Sequence, residues 1–267
     1  MKGGIMIKRQ ALPLEKGVNF RDLGGYQTKD GHKIKSHKII RSARLHELTS
    51  KDLNFLADYG VRYDVDFRTK KEIKDHPDKL PAGTQYFFMP VMKDDATNSQ
   101  EEERIGDQAL KNVVNAGLER MGWFYSQITR LYSANQAYRD FFDLLLANDK
   151  DAESLLFHCT AGKDRTGMAA VYLLTALGVP QEIVEQDYLL SNIYLESLVK
   201  RQVATARAMA GDIFATNTQQ LNSVSRDYLA QAYQALEVEY GGIDNYLHQV
   251  LGLTEGQKRD LRKLYLE

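Results

Sequence analysis

The chain is almost without cysteine: Cys159 stands alone among 267 residues. An intramolecular disulfide is therefore excluded, and cysteine usage carries no sign of an oxidising compartment. Long apolar runs are also missing. Nothing approaches the roughly 20 apolar residues that span a bilayer, so stable membrane insertion is not expected. Residues 1–16 hold only the short apolar pieces 5–7 and 11–14, neither long enough for the core of a secretory leader. The expectation is a cytoplasmic protein. A secreted protein whose leader had been removed is the alternative. Net charge is nearly absent, with 35 Lys and Arg against 36 Asp and Glu, a balance of -1. That removes the basic excess of a nucleic-acid binder but not a local basic pocket for a small anion. No repeat of fixed period stands out. The six histidines are scattered, and none pairs with another at i+4 or with the cysteine at ligand spacing. No metal site and no cofactor are expected.

What is present is ordinary for a globular protein, 43% hydrophobic and 27% charged, which argues against low-complexity disorder. The length suits a single domain over residues 1–267. Four short apolar runs bounded by turn residues predict strands at 37–42, 62–67, 85–91 and 154–158. Between the first two, 49–59 predicts a helix, with Thr49 as N-cap and Gly60 as its end. Strand–helix–strand order argues for an α/β fold around a mainly parallel sheet of four or five strands flanked by helices. Residues 93–107 are polar and charged and read as a loop. Residues 137–146 predict a helix feeding the last strand, and 166–177 a helix apolar nearly all round and therefore buried. Helices at 181–190, 195–209, 227–240 and 256–265 follow, with a softer gap at 211–225. From about 180 to 267 the chain reads as a helical extension or lid.

The chemistry concentrates in His158-Cys159-Thr160-Ala161-Gly162-Lys163-Asp164-Arg165-Thr166-Gly167. The cysteine closes a strand, an arginine follows six residues later, and an apolar helix begins there. A tight loop of this kind turns backbone N–H groups inward as an anion nest. The following helix adds its N-terminal N–H groups and positive dipole end. Arg165 matches two phosphate oxygens with a bidentate fork. A positive field favours a thiolate over a thiol, and a thiolate inside a phosphate cradle is a nucleophile aimed at phosphorus. Thr166 is placed to hydrogen-bond the sulfur as it leaves. A cysteine without context is more often a small buried hydrophobe, but strand end, glycine loop, arginine spacing and helix start together outweigh that reading. A Walker-type nucleotide loop is excluded, because Asp164 stands where Ser or Thr is needed and the glycine five residues before Gly162 is missing.

The Cys-x5-Arg loop is the protein tyrosine phosphatase signature. With Asn19-Phe20-Arg21-Asp22-Leu23-Gly24-Gly25 the chain resembles the bacterial tyrosine/serine protein phosphatase family. That family includes secreted mycobacterial and listerial phosphatases acting on phosphotyrosine and phosphoinositides. Arg41-Ser42 with Leu48-Thr49 behind it, Asp66-Phe67-Arg68 (Phe where the family often has Leu), and Asp187-Tyr188-Leu189-Leu190-Ser191-Asn192 extend the match over nearly the whole chain. The resemblance implies a metal-independent phosphomonoester hydrolase of tyrosine phosphatase fold, passing through a cysteinyl-phosphate. Its substrates would be phosphotyrosine proteins, with breadth toward phosphoserine, phosphothreonine and phosphoinositides, and its product inorganic phosphate. A rhodanese-like sulfurtransferase and a catalytically inactive phosphate-binding module are the rival readings.

One carboxyl group can protonate the leaving oxygen and later deprotonate water. Asp164 in the loop is the candidate the resemblance favours. Asp94 or Asp95 in the polar loop and Asp66 at a strand end are the others, Asp66 reading as more structural, paired with Arg68 or a loop N–H. The expected phosphate-binding set is Thr160, Ala161, Gly162, Lys163, Asp164, Arg165 and Thr166, with Lys163 adding attraction for a second phosphate. His158 is expected to orient the loop through neighbouring backbone. Asn19, Arg21 and Asp22 are expected to brace the loop or line its rim. Tyr188 and Asn192 are expected to pack the later helices or support the loop.

Overall fold

The apolar runs of the first half pair as parallel strands. The computed structural model describes residues 10–93 and 100–267. Strands β1 (Arg21–Asp22), β2 (Ile39–Ser42), β3 (Val61–Asp66), β4 (Gln85–Phe88) and β5 (Ser154–His158) form one sheet in the order β1-β2-β5-β3-β4. β5 is the central strand, parallel to β2 on one side and to β3 on the other, and β4 is parallel to β3. Only the short edge strand β1 is antiparallel. Every residue of β5 is buried, as its unbroken apolar run requires of a strand covered on both faces.

One face packs under helix α1 (Ser50–Tyr59), which Thr49 and Asp52 start with a capping box. Its small core joins Ile40, Leu56, Val61 and Leu156. The opposite face carries the main core, where Val65, Leu155 and Phe157 meet α5 (Tyr132–Ala147) and α6 (Arg165–Ala176). Phe141 sits there with ring contacts to Phe67, Phe142 and Phe157. α6 is buried along almost its whole length.

The remaining helices are α2 (Lys70–Asp75), α3 (Gln100–Asn112), α4 (Ala116–Ile128), α7 (Gln181–Tyr194), α8 (Glu196–Asn222), α9 (Arg226–Tyr240), α10 (Ile243–Gln249) and α11 (Glu255–Tyr265). Two sequence expectations change here. The polar stretch 93–107 is not all loop, since α3 begins at Gln100. Glu, Gln, Arg and Lys are strong helix formers even without an apolar period, and Leu110 is buried with its carbonyl held by Asn217 Nδ2 at 2.8 Å. The gap at 211–225 is helical as far as Asn222. α8 breaks only at Ala210 and Gly211, where Gly211 takes φ 80 and ψ -168, a conformation that glycine reaches without strain. Beyond the break, Ala215 and Asn217 are buried against α3 and α4. α4 itself carries a Gly117-Met121-Tyr125-Ile128 buried stripe, a helical spacing present in the sequence that the strand-centred reading passed over. α3, α4, α8 and α9 pack together as a helical cover; α10 bridges α9 and α6, and α11 packs on α5. No helix among the described residues is long and apolar enough to cross a membrane.

Phe141→Ala, which empties a site of 0% exposure ringed by aromatics, is expected to cost about 3–5 kcal/mol. The urea unfolding midpoint is the measurement.

Candidate active site

Cys159 follows β5 directly, so the fold delivers it to the carboxyl edge of the central strand, the usual location of a site in an open α/β sheet. It is 2% exposed and lies at the foot of the loop 159–164 that leads into α6. The loop's carbonyls are tied to groups outside it. Thr160 O accepts from Arg44 N at 3.3 Å, Ala161 O from Asn19 Nδ2 at 3.0 Å, and Gly162 O from Arg41 Nη2 at 2.9 Å. In a trans peptide the C=O and the next N–H point opposite ways. Fixing three carbonyls outward therefore aims the following amides at the concave side, the geometry of an anion nest. Gly162 has φ 68, and a Cβ there would lie 2.1 Å from Ser42 O, so only glycine lets the loop pass β2.

The braces converge on Asp187 of α7. Its carboxylate takes Arg21 Nε at 2.9 Å, Arg41 Nη1 at 2.5 Å and Tyr26 Oη at 3.0 Å, all fully or almost fully buried. Burial pushes this carboxyl up, but Arg21 and Arg41 outweigh it and hold it below the ordinary value. Arg21 also donates to Asn19 Oδ1. Asn19 and Arg21 thus reach the loop. Asp22 does not. Successive strand residues face opposite sides, and Asp22 instead accepts from Gly24 N and His37 N, each at 2.7 Å, and from Tyr59 Oη at 2.6 Å. Asn192 ties α7 to the α8–α9 connection through Val224, on both its backbone N and O.

Arg165 opens α6 and is locked by Glu72 of α2. Nη1 meets Oε2 and Nη2 meets Oε1, both at 2.7 Å; Nη1 also reaches Phe67 O at 3.5 Å. Of the five guanidinium N–H groups, this leaves Nε–H and one Nη2–H without a partner among the described residues, a side-on fork that could match two phosphate oxygens. Burial raises the Glu72 carboxyl, but Arg165 and Thr160 overcome it and bring it down to about 2. Glu72 was not foreseen. The Thr69–Glu72 spacing signals a capping box, which forms, yet it does not tell that the same carboxylate faces Arg165.

Lys163 is not a surface lysine. It is 3% exposed, with Nζ at 2.9 and 2.7 Å from the two oxygens of Asp164 and at 3.4 Å from Ser223 O. Asp164 makes no side-chain cap to α6. Its Oδ1 accepts from Tyr125 Oη of α4 at 2.7 Å, and Tyr125 Oη accepts from Tyr188 Oη at 2.8 Å. Among the rival acids, Asp66 has both oxygens engaged by Arg68, and Tyr86 Oη donates to Oδ2 at 3.0 Å. Asp94 and Asp95 lie outside the described residues. Thr166 is fully buried, but its hydroxyl has no hydrogen-bond partner among the described residues, so the expected bond to the sulfur is not formed.

His158 faces the α1 side of the sheet. Nδ1 is 3.4 Å from Cys159 O, and Nε2 is 3.3 Å from both Asp64 Oδ1 and Asp78 Oδ2. Among the described residues, Asp64, Asp78 and His158 bring potential ligand atoms within 4.8 Å of one another, a grouping invisible in chain spacing. Arg68 already pairs with Asp66 and Asp78. Burial opposes a charge on His158, but Asp64, Asp66 and Asp78 outweigh it and raise the imidazole to about 10. With the imidazole protonated, His158, Arg68, Asp64, Asp66 and Asp78 form a buried cluster of charges at the end of β5.

The profile of the tyrosine phosphatase family matches residues 12–267. A candidate tyrosine-protein phosphatase of Cupriavidus necator is 30% identical over 253 residues, covering 94% of this chain and 88% of that protein. A tyrosine-protein phosphatase of Nostoc commune is 30% identical over 86% of this chain and 74% of its own length. The triple specificity protein phosphatase PtpB of Mycobacterium tuberculosis is 26% identical over 93% of this chain and 96% of its own.

Gly162→Ala is expected to slow aryl phosphate turnover about 100-fold, the scale of an ångström-sized misplacement, with steady-state kinetics as the check. The His158 charge is raised from 6.5 to about 10, so its contribution to stability is complete below 6.5 and lost as pH rises through about 10. The stability advantage of the native chain over His158→Asn, read from urea midpoints, is expected to shrink across that window.

Proposed function

The chain belongs to the tyrosine phosphatase family, and we propose that it hydrolyses phosphomonoesters through Cys159, phosphotyrosine first, with breadth toward phosphoserine, phosphothreonine and phosphoinositides. The observation that carries this reading is the loop at the end of β5. Its carbonyls are fixed outward, its cysteine lies at the foot, and Arg165 presents a free side-on fork beside it.

In the first step the Cys159 thiolate attacks phosphorus. The S–P bond forms as the ester P–O bond breaks, and protonated Asp164 gives its proton to the departing oxygen. In the second, Asp164 as carboxylate takes a proton from water, the water oxygen attacks phosphorus, the S–P bond breaks, and inorganic phosphate leaves. Inward amides and the Arg165 fork hold the equatorial oxygens, where charge is greatest in transfer. Arg21, Arg41 and Asp187 leave one uncompensated positive charge beneath the loop, which favours both thiolate and phosphate. The triple specificity of the mycobacterial relative supports substrate breadth, and Lys163 is the loop cation suited to a second phosphate. The single domain spans residues 1–267, with the cover helices shielding the loop.

Phosphate release from a phosphotyrosine peptide, in excess chelator, is expected from the native protein and not from Cys159→Ser. Equal release by both would remove Cys159 from the mechanism. Lys163→Ala is expected to depress phosphoinositide turnover more than phosphotyrosine turnover, and equal losses would end the second-phosphate role.

A further inference from the structure

The two oxygens of Asp164 are treated differently. Oδ1 lies at the end of a buried hydroxyl chain, Tyr188 Oη to Tyr125 Oη to Asp164 Oδ1, at 2.8 and 2.7 Å. Both tyrosines have 0% exposure, and burial first, then the nearby Asp164 charge, drives both phenols well above their ordinary value. Both therefore stay protonated. A carboxylate accepts only, so Tyr125 must donate to Oδ1 and Tyr188 must donate to Tyr125. Lys163 Nζ lies across both oxygens, at 2.9 Å from Oδ1 and 2.7 Å from Oδ2, and Oδ2 meets no other described group, so the hydroxyl donor is what distinguishes Oδ1.

Resting on the reading of Asp164 as the acid, we propose that Tyr125, backed by Tyr188, is a positioning residue that reserves Oδ1 as an acceptor and makes Oδ2 the oxygen that carries the catalytic proton. Tyr125 keeps donating to Oδ1 in both protonation states, so the added proton has only Oδ2 to occupy. In the first step the Oδ2–H bond breaks, the proton passes to the ester oxygen, and its bonding pair stays on Asp164. In the second, Oδ2 accepts a proton from the attacking water. Lys163 constrains where that proton points. An ammonium has no lone pair to receive the Oδ2 proton, while a protonated carboxyl still accepts through its remaining lone pairs, so Lys163 can stay and the Oδ2–H bond must point away from it. Asp164 Oδ1 and Ser223 O are within reach of the ammonium.

The test is kcat across aryl phosphates of rising leaving-group pKa for the native enzyme, Tyr125→Phe, Tyr188→Phe, Asp164→Asn and the Tyr125→Phe/Asp164→Asn double variant. Phenylalanine keeps the ring packing against Phe124, Tyr188 and Tyr228, and thermal unfolding checks that each variant folds. Tyr125→Phe is expected to lower kcat about tenfold on the poorest leaving group, the scale of one charge-assisted hydrogen bond. The loss should shrink as the leaving group improves, with KM held, and Tyr188→Phe should show the same trend more weakly. On the Asp164→Asn background, Tyr125→Phe should add nothing. A loss independent of leaving group, or one that adds fully to Asp164→Asn, would overturn the positioning role while leaving Asp164 as the acid. If Asp164→Asn itself shows no leaving-group dependence, the acid assignment fails and this proposal with it.

Discussion

The loop between β5 and α6 depends on one buried carboxylate. Asp187 is shared between Arg21 of β1 and Arg41 of β2; Arg41 reaches the loop directly at Gly162, and Arg21 reaches it through Asn19, which holds Ala161. Taking three charges out of water is expensive, and replacing such a group by apolar residues is often neutral for stability. Stability alone does not account for it. Removing one partner leaves an uncompensated buried charge, at a cost of about 3–5 kcal/mol. The arrangement is therefore rigid in a way apolar packing is not, and it passes that rigidity to the carbonyls whose orientation aims the loop amides. Tyr26 adds a third donor to the same carboxylate, so its geometry has little freedom left.

The other cations of the loop are stored as neutral pairs. Arg165 is held by Glu72 and Lys163 by Asp164. The two pairs differ in kind. Glu72 takes the end of the guanidinium and leaves its side-on edge open. Lys163 lies across both oxygens of Asp164, so the proton proposed for Oδ2 must point away from the ammonium. The difference follows from guanidinium geometry: a planar fork has two edges to offer, an ammonium only one point of charge.

Much of this was legible. A continuous apolar run ending in cysteine, a glycine, an arginine at fixed spacing and an apolar helix are all local patterns, and they led to the strand, the loop and α6. The N-terminal Asn19 and Arg21 were reachable through resemblance. What was not legible is contact across distance. Glu72 lies 93 residues from Arg165, Arg41 146 residues from Asp187 and Tyr125 39 residues from Asp164, and no periodicity links them. Asp22 failed for a local reason that was available: beside Arg21 on a strand, it must face away. The acidic environment of His158 escaped notice because Asp64, Asp66 and Asp78 come from a strand and a loop that only parallel pairing brings beside β5.

The helical cover and the chemistry are joined at specific atoms. Asp164 is oriented by Tyr125, which belongs to α4 and stacks on Tyr228 of α9 with centroids 5.9 Å apart. Lys163 reaches Ser223 O, in the turn between α8 and α9. Neither group gets these partners from the sheet that builds the loop. Cys159 and the Arg165 fork are thus held by the central sheet, α2 and α7, whereas the carboxylate proposed to carry the proton is completed by the cover. The consequence is a division of labour within one site. An undocked cover would leave Cys159 and Arg165 in place but deprive Asp164 of the donor that distinguishes its oxygens, so under the proposed mechanism substrates with poor leaving groups would depend on the cover and activated ones would need it far less.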